Sequence, residues 1–214
     1  GRYTNDLNDR ETLFTELGVF ENFEPVLSDQ NRRSEIVYLG NIQPSLQLAI
    51  RAETPDARRV ISDTMNLWIN QNGEELNEVL SKTDILLINE EEALQLTGQE
   101  DWSAATAELL ESGPRTVVIK QGQGGSILAK GSSRRHIPIY HEARRVDPTR
   151  AGDSFAGGFS GHIASHGGAD LEEAVIIGTA TASYTVEDYG LEGLLKATPE
   201  GVEQRSAAIR RMMD

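Results

Sequence analysis

The chain of 214 residues contains no cysteine. This absence excludes disulfide bonds, zinc-thiolate sites and thiol nucleophiles, and it suits the reducing cytoplasm, where we expect the protein to reside. The four histidines follow no metal-ligand motif, so we expect surface or core roles for them. They are His136, His141, His162 and His166.

Long apolar segments are also missing, since no stretch approaches the roughly 20 apolar residues that a membrane-spanning helix needs. Basic residues are too few to balance the acidic ones: 20 Lys and Arg face 34 Asp and Glu, which gives a net charge of −14. This charge disfavours nucleic-acid binding, because it reverses the main attraction to phosphate backbones. We therefore expect a soluble protein that binds neither membrane nor nucleic acid.

From Glu35 onward, short apolar runs alternate with helical patterns. Runs that are apolar throughout are typical of strands buried on both faces of a parallel sheet. The pattern predicts an α/β fold, a doubly wound and mostly parallel sheet with helices on both faces. Parallel strands are predicted at 36–40, 60–63, 85–88 and 116–119, and antiparallel strands at 126–129 and 136–140. Helices are predicted at 45–51, 74–82, 90–96, 102–110, 153–165, 171–188 and 199–213. Residues 2–20 alternate weakly and predict two exposed strands or a hairpin.

Ligands bind at the carboxyl ends of the strands in such sheets. Four apolar runs are followed there by polar or glycine-rich residues. These are Asp63, then Asn89 with Glu92, then Lys120 with Gly122 to Gly125, and finally the segment from Asp147 to Phe159.

Small residues precede a predicted helix in the last of these segments. The unpaired amides of Ala151, Gly152 and Asp153 at the helix start would point together at an anion, helped by the helix dipole. The carboxylate of Asp153 would accept a proton from an attacking substrate hydroxyl. The alternative is that Asp153 only caps the helix after a tight turn.

The residues from Asp147 to Phe159 closely resemble the carboxyl-terminal signature of the ribokinase and phosphofructokinase-B (PfkB) family of carbohydrate kinases. Three further matches follow the family's order: Asp63, the Asn89-x-x-Glu92 pair and the Gly122-x-x-Gly125 turn. The resemblance extends from the strand at Glu35 to the last helix. It implies a ribokinase-like domain at 23–214, incomplete at its amino-terminal side, with residues 1–22 as part of the family's substrate lid.

The resemblance also implies roles for individual residues. Asp153 would be the general base, with Ala151 and Gly152 as the anion hole for the phosphoryl group. ATP and Mg²⁺ are the implied cofactors, and many family members also use K⁺. The implied nucleotide and magnesium contacts are Asn89, Glu92, Lys120, Gly122, Gly125, Ser183 and Gly190, and the implied neighbours of K⁺ are Asp147 and Thr149. Family members pair their lid strands, so a homodimer is the implied assembly.

Two features depart from the family. Arg150 occupies the first position of the anion-hole trio, where the family has glycine or another small residue. Its side chain would obstruct the phosphate, force a backbone angle that favours glycine, turn outward or neutralise phosphate charge. The family also carries its first strands, a Gly-Gly signature and a sugar-binding aspartate ahead of the position where this chain opens, so we expect the chain to be a fragment of a longer protein.

The leading hypothesis is a kinase that transfers a phosphoryl group from ATP to a hydroxyl of a sugar or nucleoside. A second hypothesis is a non-catalytic nucleotide-binding or interaction module derived from such a kinase. A dinucleotide-binding oxidoreductase is disfavoured, because no Gly-x-Gly-x-x-Gly loop opens a first strand-helix unit.

Overall fold

The computed structural model describes residues 2–3, 10–11, 16–168 and 170–213. Two short strands at its start, β1 (Arg2–Tyr3) and β2 (Arg10–Glu11), pair antiparallel in a separate two-stranded sheet. A 3₁₀ turn follows at Gly18–Phe20. Half of the predicted lid lies outside the described residues, so the lid and the boundary at residue 22 stay predictions.

The main sheet has six strands in chain order, β3-β4-β5-β6-β7-β8. The first four strands run parallel and the last two are antiparallel, as the apolar runs predict. The strands are β3 (Ile36–Leu39), β4 (Arg59–Asp63), β5 (Ile85–Asn89), β6 (Thr116–Lys120), β7 (Ser126–Lys130) and β8 (Ser133–Ile137). The mostly parallel sheet of the prediction is confirmed.

Nine α-helices lie in the described part of the chain. They are α1 (Asp29–Arg32), α2 (Pro44–Glu53), α3 (Asn66–Gln71), α4 (Gly73–Ser81), α5 (Glu90–Thr97), α6 (Trp102–Glu111), α7 (Ala151–His166), α8 (Leu171–Thr185) and α9 (Pro199–Arg211). None of the helices in these ranges is long and apolar enough to cross a membrane. The short helices α1 and α3 do not appear in the sequence prediction.

Both faces of the sheet are covered, because alternate side chains of each strand enter different clusters. Ile85 and Leu87 of β5 pack with α7, α8 and α9, whereas Leu86 and Ile88 pack with α4, α5 and α6. Strand β3 divides in the same way, with Val37 and Leu39 facing α2. One face of the sheet is thus covered by the helices that connect the parallel strands, and the other face is covered by the three carboxyl-terminal helices α7, α8 and α9.

One strand prediction has the wrong bounds: the second antiparallel strand lies at Ser133–Ile137 and not at 136–140. A two-residue turn that begins at Gly131, with φ of 54°, pairs Lys130 directly with Ser133. The strand therefore starts at once after the turn. It ends before Pro138, which has no amide hydrogen to donate to a ladder.

Helices α7 and α8 approach each other closely at two glycines. A β-carbon on Gly158 would lie 2.6 Å from Oγ1 of Thr181, and one on Gly178 would lie 2.8 Å from the carbonyl oxygen of Phe155. Real β-carbon contacts at these separations are essentially absent. The small residues of the two helices thus set the position of α7 on the sheet.

Candidate active site

The carboxyl ends of the four parallel strands and the amino-terminal end of α7 meet at one edge of the sheet. Asp63 ends β4, Asn89 ends β5 and Lys120 ends β6. The structure therefore brings three of the four predicted strand-end groups into neighbouring positions on paired strands.

The side chain of Asp63 is buried and makes three polar contacts. Its Oδ1 accepts a hydrogen bond of 2.8 Å from the amide of Thr64. Its Oδ2 lies 3.3 Å from Nζ of Lys120 and 3.5 Å from the hydroxyl of Tyr38. The side chains of Asp63 and Lys120 are only 7% and 17% exposed, so this ion pair is largely removed from solvent.

The side-chain amide of Gln47 supports the same edge from α2. It donates to the carbonyl oxygens of Leu39 at 3.2 Å, Gly40 at 2.8 Å and Asp63 at 3.0 Å. Gln47 is buried. It ties the ends of β3 and β4 together, and nothing in the sequence pattern distinguishes it from the other polar residues of an amphipathic helix.

Lys120 also reaches the start of α7. A β-carbon placed on Gly152 would lie 3.6 Å from Nζ of Lys120. The ammonium group is thus held between the carboxylate of Asp63 and the first turn of α7. This is the position in which a cation would meet an anion bound at the helix start.

Tyr38 lies beneath this cluster and connects it electrostatically to Asp153. Burial, together with the negative charges of Asp63 and Asp153, raises the pKa of the Tyr38 hydroxyl well above its ordinary value. The phenol therefore stays protonated and donates to Asp63. Sequence reasoning missed Tyr38, because a tyrosine inside an apolar strand is indistinguishable from a core residue.

Asn89 and Glu92 form a reciprocal cap at the start of α5. The side chain of Asn89 accepts from the amide of Glu92 at 2.7 Å, and the amide of Asn89 donates to Oε2 of Glu92 at 3.1 Å. Burial raises the pKa of Glu92 to about 7, although the charge of Lys120 and the hydrogen bond from the Asn89 amide act in the opposite direction. The motif therefore caps α5, and its role toward magnesium stays a prediction.

Hydrogen bonds to the end of α8 hold the loop before α7 in place. The amides of Val146 and Asp147 both donate to the carbonyl oxygen of Val186, at 2.7 and 3.2 Å. The hydroxyl of Thr185 donates to Oγ of Ser154 across 2.7 Å in a buried contact. The end of α8 therefore fixes both sides of the predicted anion-hole loop.

Within the loop, Arg150 is the N-cap of α7 and has left-handed backbone angles, φ 67° and ψ 7°. The amide of Ala151 donates to the carbonyl oxygen of Pro148 at 3.1 Å. The next two amides, those of Gly152 and Asp153, belong to the first turn, which a helix cannot satisfy internally. These two amides are better placed to receive an anion than the amide of Ala151, and Asp153 is exposed beside them.

The glycine-rich turn after β6 forms a 3₁₀ turn at Gly122–Gly124. A β-carbon on Gly125 would lie 2.3 Å from the carbonyl oxygen of Ile137, and φ at Gly125 is 85°. The packing of the turn against the end of β8 is thus a sufficient structural reason for this glycine. A nucleotide contact by Gly122 and Gly125 remains a prediction.

Ser183 and Gly190 lie near the end of α8. Ser183 is buried, and its Oγ accepts a hydrogen bond of 2.8 Å from Nη1 of Arg205 on α9. The Arg205 guanidinium also lies 3.5 Å from the centre of the Tyr184 ring and pairs with Glu187 at 2.7 Å. Ser183 thus has a structural partner. Gly190 lies in an exposed left-handed turn, and their role in a nucleotide wall stays a prediction.

The described residues contain no group of three or more acidic or histidine side chains that would hold a metal ion. Magnesium is commonly held by one or two carboxylates together with substrate phosphates and water, so the buried carboxylate of Glu92 fits that mode of binding. At the other predicted metal position, Oδ1 of Asp147 accepts a hydrogen bond of 2.9 Å from the amide of Thr149.

Known proteins resemble this chain in sequence. The model of the pfkB family of carbohydrate kinases matches residues 5–197. A nucleoside kinase from Methanocaldococcus jannaschii is 27% identical over 203 residues, which are 94% of this chain and 65% of the relative. A cytidine kinase from Thermococcus kodakarensis is 39% identical over 117 residues, which are 54% of this chain and 41% of the relative.

Solved structures show the same fold. The crystal structure of the Methanocaldococcus jannaschii nucleoside kinase matches with a TM-score of 0.70 and 26% identity, covering 89% of this chain and 60% of the other. Arabidopsis thaliana ribokinase complexed with ribose and ATP matches with a TM-score of 0.70 and 28% identity, covering 85% and 60%. The chain spans less than two thirds of the length of each of these relatives. Because the family model matches most of the chain, the chain belongs to the pfkB family of carbohydrate kinases.

Proposed function

We propose that the chain carries the nucleotide-binding and catalytic part of a kinase that transfers a phosphoryl group from ATP to a hydroxyl of a sugar or nucleoside. The observation that carries this proposal is the position of Lys120, whose ammonium group lies between the buried carboxylate of Asp63 and the start of α7 at Gly152. A cation and the first-turn amides thus face the same point, beside the carboxylate of Asp153.

Each of these residues would then have a separate role in the reaction. The amides of Gly152 and Asp153, with Ala151 at the edge, would receive the phosphoryl group, and Lys120 would balance its charge. Asp153 would accept the proton of the attacking hydroxyl, because it is exposed at the same helix start. Glu92, held by Asn89, would assist magnesium, and the turn from Gly122 to Gly125 would let the nucleotide approach the backbone.

The relatives favour a small acceptor that contains a sugar ring. A nucleoside kinase, a cytidine kinase and ribokinases are among them. We further propose that Ser183 and Gly190 border the nucleotide and that Asp147 and Thr149 neighbour a potassium ion. A homodimer through the segment containing β1 and β2, and a cytoplasmic location, complete the proposal.

The test is ADP release from ATP by the purified protein, measured with a panel of sugars and nucleosides in the presence of magnesium and potassium. Release that depends on one class of acceptor supports the kinase and identifies that class. Tight ATP binding without release for any acceptor supports the second candidate, a non-catalytic nucleotide-binding module. This second candidate is favoured by one observation: Arg150, with left-handed backbone angles, occupies a position of the anion-hole loop where family members have a small residue.

A further inference from the structure

The backbone conformation of Arg150 is energetically unfavourable. Its φ of 67° is the only positive φ of a non-glycine residue within the described ranges. Left-handed angles bring the β-carbon of an L-residue too close to the following carbonyl oxygen, so this position favours glycine. Strain of this kind persists where the surrounding structure fixes it, and it clusters at functional sites.

Arg150 also carries an electrostatic cost. It caps the amino-terminal end of α7, a helix of 16 residues, where the helix dipole presents partial positive charge and disfavours a cation. The ammonium of Lys120 is a second cation at this end, because it lies 3.6 Å from the β-carbon position of Gly152. Arginine is therefore the wrong charge for this end of the helix unless an anion is bound there.

Asp63 pairs with Lys120, and Asp153 places a carboxylate in the first turn of α7, but no group in the described part of the chain pairs with Arg150 itself. The Arg150 side chain is exposed, and no hydrogen bond or ion pair of its guanidinium occurs within residues 16–168 and 170–213. Asp153, three residues further on, lies within reach of a helical side-chain pair but forms no ion pair with it there. An anion at the start of α7 would offset the electrostatic cost and give the Arg150 guanidinium a partner.

We propose that the guanidinium of Arg150 binds the terminal phosphate of a nucleoside triphosphate, together with Lys120 and the amide of Gly152. The inference rests on the proposed function and deepens it. The planar guanidinium donates two parallel hydrogen bonds to a phosphate, which an ammonium group cannot do. Because a diphosphate lacks this terminal phosphate, the Arg150 contact would distinguish a triphosphate from a diphosphate.

The experiment compares the affinities of ADP and a non-hydrolysable ATP analogue, both with magnesium, by titration calorimetry. Arg150→Gln and Arg150→Gly should each weaken analogue binding about tenfold and leave ADP affinity within about twofold. Arg150→Lys should fall between wild type and these variants. Arg150→Gly should also unfold at a higher temperature than wild type, because glycine removes both costs.

Arg134→Gln is the charge-matched control. Arg134 is next to the turn between β7 and β8, at the end of the sheet opposite Lys120, so its loss should leave both affinities unchanged. Equal analogue affinity in wild type, Arg150→Gln and Arg150→Gly would overturn the inference and leave the proposed function standing. Tighter analogue binding by Arg150→Gly would also overturn it, because the arginine would then obstruct the phosphate. A wild-type protein that binds neither nucleotide would overturn the proposed function, and the inference with it.

Discussion

Nζ of Lys120 lies 3.3 Å from Oδ2 of Asp63, and the two residues end strands that are separated by β5 in the sheet. The pair therefore spans the strand that carries Asn89 at its end. A buried ion pair of this kind contributes little net stability, but removing one partner leaves an uncompensated charge. Its position beside α7 means that a bound phosphate would compete with Asp63 for the same ammonium group.

Replacing Lys120 with Met should lower the free energy of unfolding by about 3 kcal/mol, because the buried Asp63 carboxylate loses its cation. The double variant Lys120→Met with Asp63→Asn should recover to within about 1 kcal/mol of wild type, since no buried charge remains. Urea unfolding at pH 8 measures both. ATP affinity should stay low in the double variant. Recovery of affinity together with stability would show that Lys120 does not bind the nucleotide.

Replacing Asp153 with Asn should lower the turnover number by at least about 100-fold, because the amide cannot accept the proton of the attacking hydroxyl. The dissociation constant of ATP should change less than about threefold, since the first-turn amides remain in place. Steady-state kinetics and calorimetry measure the two effects separately.

Asp56→Asn is the matched control for this substitution. Asp56 is exposed and precedes β4, so it lies at the amino-terminal end of the parallel strands, opposite the site. Its loss should leave turnover unchanged. Full turnover in Asp153→Asn would remove Asp153 from the role of general base.

The sheet follows from local pattern, because strands buried on both faces must be apolar throughout. The run Ile85 to Ile88 shows this. The end of α5 also follows from local pattern, because Gly98 adopts the left-handed angles that end many helices. The helix α3 has a single buried residue, Trp68, so its sequence lacks the periodicity that predicts a helix. Its formation depends on tertiary packing.

The candidate site divides in the same way. Asp63, Lys120 and the start of α7 are predictable, because topology alone brings strand ends to one edge. The contacts of Tyr38 and Gln47 depend on distances between elements far apart in the chain, and no local pattern reports those distances. The left-handed angles of Arg150 are only one of the several outcomes that the sequence allows.

The close approach of α7 and α8 makes opposite predictions for two helical glycines. Gly178→Ala should lower the free energy of unfolding by about 1–3 kcal/mol, because its β-carbon would lie 2.8 Å from the Phe155 carbonyl oxygen. Gly161→Ala is the matched control, since no atom lies within 4 Å of its β-carbon position. It should raise stability by about 0.5–1 kcal/mol through helix propensity. Thermal and urea unfolding measure both, and equal effects of the two substitutions would contradict the packing described here.

The pKa of Glu92 predicts a pH dependence of stability with a definite sign. Burial is the main cause that raises the pKa of Glu92 from its ordinary value of 4.5 to about 7 in the folded chain. Between these values the folded state holds a proton that the unfolded state has lost, so the Glu92 contribution to stability is present below pH 4.5 and is lost as the pH rises to about 7.

Glu92→Gln isolates this effect, because glutamine preserves the reciprocal cap with Asn89 and cannot ionise. The variant should be more stable than wild type by about 2–3 kcal/mol at pH 8, and the difference should shrink toward pH 4.5. Urea unfolding of both proteins across this range measures the difference, in which the contributions of all other titrating groups cancel. A difference that does not vary with pH would show that Glu92 ionises in the folded chain as it does in the unfolded one, and the carboxylate would then be less buried than the structure places it.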